Sequence, residues 1–157
     1  MTVVEGLRSL FLNKIFLATV VSLCTAQFLK LVFYLLSPKK KRKRDAVETV
    51  IWRTGGMPSS HSAIVCSLAT ATGIHHSIGS TYFIISLIFT LVVLRDSVGV
   101  RRAAGLQAKA LNNLGKQYAK ETGQEFHPVK EIQGHTPLEV LVGSGLGILI
   151  AIIFFLF

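Results

Sequence analysis

The sequence predicts an all-α integral membrane helical bundle, with about four transmembrane helices plus one amphipathic helix at the interface or in the cytosol. Three observations carry this. Half of the 157 residues are hydrophobic and only 16% are charged, against about a quarter in soluble domains. The apolar residues stand in runs of near-spanning length, the pattern of a chain solvated by lipid. The cations, which bring the net charge to +9, stand between these runs. That is where the cytoplasmic ends of membrane helices carry Lys and Arg. A nucleic-acid surface would interleave them with aromatic residues, and that pattern is missing. The length suits a single domain, residues 1–157.

The first run, Ile15 to Leu36, is interrupted by Gln27 and Lys30. Polar groups at that depth are costly unless they face protein or a wet cavity. No small-residue cleavage site accompanies this run, so it is expected to be retained as a helix. Ahead of it, Val3 to Leu12 could form an interfacial helix. Ser37-Pro38 ends the span, and the six cations Lys39–Arg44 cannot enter the membrane. They read as a topology anchor beside anionic head groups. A second span, Ser60 to Ile78, is rich in Ala, Ser, Thr and Gly, which suits close packing against neighbouring helices. The third runs from Tyr82 to Leu94 and continues through Arg95 and Asp96 toward Arg102. Ala103 to Lys120 has helix formers in an amphipathic pattern, with Leu106, Ala110, Leu111 and Leu114 on one side. A polar connection, Glu121 to Gly134, leads to the last span from Thr136 through Leu156, where Gly143, Gly145 and Gly147 offer close helix contacts. The spans thus lie near 15–36, 60–78, 82–100 and 136–156. Cys24 and Cys66 sit inside apolar runs and read as small buried hydrophobes.

Topology follows from charge. Residues 38–53 carry seven Lys/Arg against two Asp/Glu, and Arg95 to His135 seven against four, whereas the loop at 75–80 has neither Lys nor Arg. The positive-inside tendency places both basic connections in the cytoplasm and both termini outside. Lys30, Gly55–Ala63, Arg95–Arg102 and Gly134–Glu139 then fall toward one membrane face, which suggests a single site there.

Two motifs carry the chemistry. Gly55-Gly56-Met57-Pro58-Ser59-Ser60-His61-Ser62-Ala63 puts hydroxyls and an imidazole at a helix start, where unpaired N–H groups and the helix dipole favour phosphate. In Gly134-His135-Thr136-Pro137-Leu138-Glu139, Thr136 and Pro137 look like an N-cap and first helical residue. Glu139 could hold one ring nitrogen of His135 and leave the other as nucleophile or base. The plainer reading is a capping histidine beside a solvent-facing glutamate. Arg101-Arg102 would give planar donors to a phosphate, or else form a stop-transfer pair. Asp96 is better read as the ion-pair partner of those arginines than as a metal ligand, since one carboxylate makes a thin magnesium site. His75 and His76 lie at the opposite end and read as interfacial.

Taken together, these motifs, with Gly99-Val100, Gly105, Gln107-Ala108 and Leu111-Asn112, resemble the divergent branch of the type 2 phosphatidic acid phosphatase superfamily, which includes lipid phosphate phosphatases and vanadium haloperoxidases. The resemblance covers nearly the whole chain. It implies a histidine nucleophile steadied by an acidic residue, a second histidine as general acid, and Lys/Arg phosphate clamps with no required metal or cofactor. Pro58-Ser59-Ser60-His61 resembles the family's Pro-Ser-Gly-His, with Ser60 in the glycine place. His135-x-x-x-Glu139 resembles His-x-x-x-Asp. The first motif, Lys-x6-Arg-Pro, is echoed by Lys30 and Ser37-Pro38 without its arginine. The Ser-Arg pair that normally precedes the nucleophile is absent, so Arg101 or Arg102 would supply that charge.

The resemblance implies a lipid phosphate phosphatase in the cell membrane, and the charge distribution turns its site toward the cytoplasm. His135, His61, Glu139 and Asp96 form the catalytic group, and Lys30, Ser59, Ser60, Arg101 and Arg102 bind phosphate, with no metal. A phospholipid is the expected substrate, phosphatidylglycerophosphate first, because it is an anionic monoester formed at the cytoplasmic face of bacterial membranes. The rival readings are a non-catalytic lipid-phosphate binder or transporter and a structural membrane subunit. Homo-oligomerisation is left open.

Overall fold

The computed structural model describes residues 2–36, 56–131 and 134–157. The Ser37-Pro38 stop, the Lys39–Arg44 run and Gly55 lie outside the described residues. Six helices make up the rest: α1 (Val3–Phe11), α2 (Lys14–Leu36), α3 (Ser60–His76), α4 (Thr81–Val98), α5 (Val100–Thr122) and α6 (Pro137–Leu156). The architecture is all-α. The short α1, closed by a capping box between Thr2 and Glu5, buries none of its residues. Asn13 then separates it from α2 by accepting hydrogen bonds from the Ile15 and Phe16 amides at 2.8 and 3.3 Å.

Among the described residues, three helical stretches are long and apolar enough to cross a membrane: α2, the continuous Thr81–Thr122 stretch containing α4, and α6. The fourth expected span is α3, whose 17 residues reach ~25 Å, short of a ~30 Å hydrocarbon core. It ends at His76 rather than Ile78, where Ser77 turns the chain at φ 72°. α3 is the hub of the bundle and packs on α2, α4 and α6. That position explains its composition, since its buried residues are Ser, Ala, Val, Cys and Thr and no larger. The stripe facing it from α2 is Ala18, Ser22, Ala26 and Lys30, one residue every fourth position. Hydroxyls tie the helices together: Ser22 Oγ donates to the Ala63 carbonyl at 3.1 Å and Thr90 Oγ1 to the Val65 carbonyl at 2.9 Å.

The closest approach is between α3 and α6. A Cβ on Gly143 would overlap the Ser59 carbonyl oxygen, and one on Gly147 the Ala63 carbonyl oxygen, whereas Gly145 faces open space. Gly143→Ala and Gly147→Ala should therefore each destabilise by about 1–3 kcal/mol, the range for overpacking. Gly145→Ala should be neutral or stabilising by up to about 1 kcal/mol, as Gly-to-Ala is in a helix interior. Thermal unfolding in detergent distinguishes them. Equal loss for all three would mean that α6 packs through a different face.

Beyond Gly99, α5 leaves the bundle, and Leu106, Leu111 and Leu114 are exposed along it. Its one buried residue is Asn112. The Asn112 amide pairs with both the N–H and the C=O of Val129 at 2.9 Å, as a backbone strand would, and also donates to Glu131. The return segment after Gly123 is thereby strapped along α5 on its way back to His135.

Candidate active site

Ser59 is the joint of the site. It caps α3, its Oγ accepting from the Ser62 amide at 3.3 Å and the Ser62 hydroxyl at 2.9 Å. Its own amide donates to the Glu139 carbonyl at 3.0 Å. That bond fixes the first turn of α3, which carries His61, against the first turn of α6, which follows His135. The Ser59 amide, expected among the phosphate donors, is thus already committed inside the fold.

Thr136 caps α6 as the sequence suggests. Its Oγ1 accepts from the Glu139 amide at 3.3 Å, and its own amide donates to Glu139 Oε2 at 3.0 Å. The same carboxylate oxygen lies 3.1 Å from His135 Nδ1. The carboxylate is an acceptor, so Nδ1 carries the proton and Nε2 presents the lone pair. His135 is only 3% exposed, and its Nε2 has no hydrogen-bond partner among the described residues. Burial pushes the His135 imidazole below the ordinary histidine value. The Glu139 hydrogen bond and charge oppose this, while the Lys30 and Arg101 cations add to it. The ring is therefore neutral near pH 7 and its free nitrogen basic.

His61 stands across from it, ring centroids 6.3 Å apart and planes at 61°. Unlike His135 it is exposed, placed to exchange protons with solvent. Lys30, 5% exposed on α2, donates from Nζ to Ser60 Oγ at 3.2 Å. A buried ammonium is costly unless an anion compensates it. Here its hydrogen-bond partner is a neutral hydroxyl, with the Glu139 carboxylate near enough to act on its charge.

Arg101 comes from the first turn of α5. Its Nε donates to Asp96 Oδ2 at 2.6 Å across the α4–α5 junction, both side chains being partly exposed. Arg102 meets the site through its backbone: a Cβ on Gly134 would collide with Arg102 N and Cα. This contact locks the residue before His135 onto the start of α5. Lys30, Ser59, Ser60, His61, Asp96, Arg101, His135 and Glu139 are thus gathered at one end of the bundle. His75 and His76 lie at the other end of α3 beside Phe155 and Tyr82. Two supports were not singled out for their chemistry in the sequence: Ser62, and Asn112 holding the strap. In the sequence Asn112 is marked only by the resemblance, beside Leu111 on the amphipathic helix.

Two imidazoles, one of them oriented by a carboxylate, thus stand together with the Lys30 and Arg101 cations close enough to act on both.

A model of the divergent PAP2 family matches residues 11–150. An uncharacterized membrane protein of Bacillus subtilis (strain 168), YuiD, is 38% identical over 116 residues, 67% of this chain and 73% of that protein. No solved structure matches.

Proposed function

The chain belongs to the divergent PAP2 family of membrane proteins, and from that premise we propose that it is a lipid phosphate phosphatase, one membrane-embedded catalytic domain over residues 1–157. The observation that carries this reading is His135: buried, its Nδ1 held by Glu139, its Nε2 without a partner. A histidine that only capped a helix would satisfy both of its buried ring nitrogens within the fold.

In the proposed reaction His135 Nε2 attacks phosphorus, and an N–P bond forms as the bond to the lipid oxygen breaks. His61 gives its proton to the departing alkoxide. Glu139 stabilises the positive imidazole that results. Lys30 and Ser60 bind the equatorial oxygens, and Arg101, steadied by Asp96, offers its remaining guanidinium nitrogens. Arg102 adds positive charge at the rim. Water then attacks the phosphohistidine, losing its proton to His61 and returning free phosphate and neutral His135.

The test is phosphate release by the purified protein from phosphatidylglycerophosphate, phosphatidic acid and a prenyl pyrophosphate, expected to be fastest on the first. Lipid bound but never hydrolysed would assign the protein to the lipid-phosphate binders. Activity is expected to persist in chelator, because both carboxylates at the site are already engaged, Asp96 by Arg101 and Glu139 by His135 and Thr136. Hard divalent ions need six or so oxygen ligands. Complete loss of activity that magnesium restores would reassign those two residues to a metal centre.

The order of substrates rests on orientation. The site shares its end of the bundle with the cationic Arg95–Lys120 region, which the positive-inside tendency places in the cytoplasm. A cysteine introduced at Gln124, on the exposed strap, should be shielded from an impermeant thiol reagent in intact cells and label after lysis. Ready labelling in intact cells would reverse the topology and put prenyl pyrophosphate first.

A further inference from the structure

His135 is held from two sides. Glu139 and Thr136 steady it from within α6, and the chain that enters it comes from the strap running back along α5. Three contacts tie that strap down, in reverse order along the helix. The Phe126 ring lies on Gly115, where a Cβ would overlap it. Asn112 comes next: its Nδ2 donates to the Val129 carbonyl and to Glu131 Oε1, and its Oδ1 accepts from the Val129 amide, each at 2.9 Å. Last, Gly134 sits against the Arg102 backbone in the first turn of α5, too close for any side chain.

The spacing of the last two contacts leaves little slack. Arg102 and Asn112 are ten residues apart on α5, ~15 Å at 1.5 Å per residue. Val129 and Gly134 are five residues apart, and five residues reach at most ~17–18 Å. The chain joining the two contacts is therefore within about one residue's length of taut. Asn112 is only 3% exposed, the one buried residue of a helix that leaves the bundle. Both of its N–H donors are spent on the strap, so its burial serves that segment alone.

We propose that Asn112 is a positioning residue for His135: by pinning Val129 it keeps the strap taut, seats Gly134 on the start of α5 and so sets where His135 Nε2 stands relative to His61 and Lys30. The proposal rests on the reading of His135 as the nucleophile. Lys30 and Ser60 reach the site from α2 and α3, so slack in the strap should cost the chemical step and spare phosphate binding. A displacement of ~1 Å can cost about a hundredfold in rate.

The test is where slack is placed. Two glycines inserted after Lys130 lengthen the taut span by ~7 Å and leave the Asn112 hydrogen bonds intact. The same two inserted after Gln124 lengthen the strap ahead of Phe126. With phosphatidylglycerophosphate as substrate, kcat should fall about a hundredfold at unchanged KM in the Lys130 insertion and in Asn112→Ala, and hold in the Gln124 insertion. Val129 and Glu131 are exposed, so water can take up the bonds that Asn112→Ala frees.

A second readout needs no turnover. Diethyl pyrocarbonate acylates neutral imidazoles, and its adducts are mapped by mass spectrometry. Relative to the exposed His75, His135 should react at least about fivefold faster in Asn112→Ala and the Lys130 insertion than in the wild type, the equivalent of one net hydrogen bond. The Gln124 insertion should match the wild type. Phosphate release from none of the proteins would remove the nucleophile reading and leave the labelling to decide whether Asn112 holds His135. Equal effects of the two insertions, unchanged His135 labelling in the folded Lys130 insertion, or a raised KM at unaltered kcat would overturn the proposal.

Discussion

Phosphate release is expected to fall by at least about a hundredfold when His135 is replaced by alanine, and by a similar factor when His61 is, that being the lower range for losing acid–base catalysis. The two losses have different origins. Without His135 no atom is left where Nε2 now points unpaired, and the covalent intermediate cannot form. Without His61 the intermediate forms only by expelling an unprotonated alkoxide. Neither change should unfold the protein. Both residues flank helix starts, and Thr136 and Ser59 cap those starts whether or not the imidazoles are present. His75→Ala, at the other end of α3, is the matched control and should leave the rate unaltered. Folded, monodisperse His135→Ala or His61→Ala protein that turns over near the normal rate would remove the mechanism.

The parts of this molecule that were legible in the sequence are those fixed by local chemistry. Apolar runs bounded by Lys and Arg disclosed the spans, because lipid forbids charge at depth over any stretch that long. Thr136-Pro137 disclosed the start of α6, because a cap and a proline act within one turn. What stayed hidden was decided by distant segments. Nothing in Gly143-Ser144-Gly145-Leu146-Gly147 says that the outer two glycines meet α3 while the middle one faces open space; that depends on how α6 is rotated. The Ser59 amide looked like a phosphate donor because helix starts usually have one to spare, and only the contact between α3 and α6 gives it to Glu139. Asn112 could not be ranked above its polar neighbours until the strap was seen folding back seventeen residues later. α3 starts at Ser60 as its pattern suggests and ends at His76, two residues before Ile78, because Ser77 turns the chain at φ 72°.

Glu139→Gln should be the other severe lesion, lowering turnover by at least about a hundredfold, as loss of the orienting carboxylate does in histidine-based sites. Glutamine keeps the size and can still accept from the Thr136 amide, so the cap survives. What it removes is the negative charge that stabilises the imidazole when it becomes positive. The same charge and its hydrogen bond now hold the His135 pKa up against burial and against the Lys30 and Arg101 cations. Without them the pKa falls further. Only the neutral ring attacks, so activity rises as pH climbs through that pKa, and in Glu139→Gln the acidic limb of kcat/KM must move to lower pH even as the plateau drops. A variant that merely loosened the start of α6 would lose activity at every pH and leave the limb in place. A limb displaced to higher pH would be incompatible with the Glu139–His135 contact supporting catalysis, and the general role of the pair would then revert to capping.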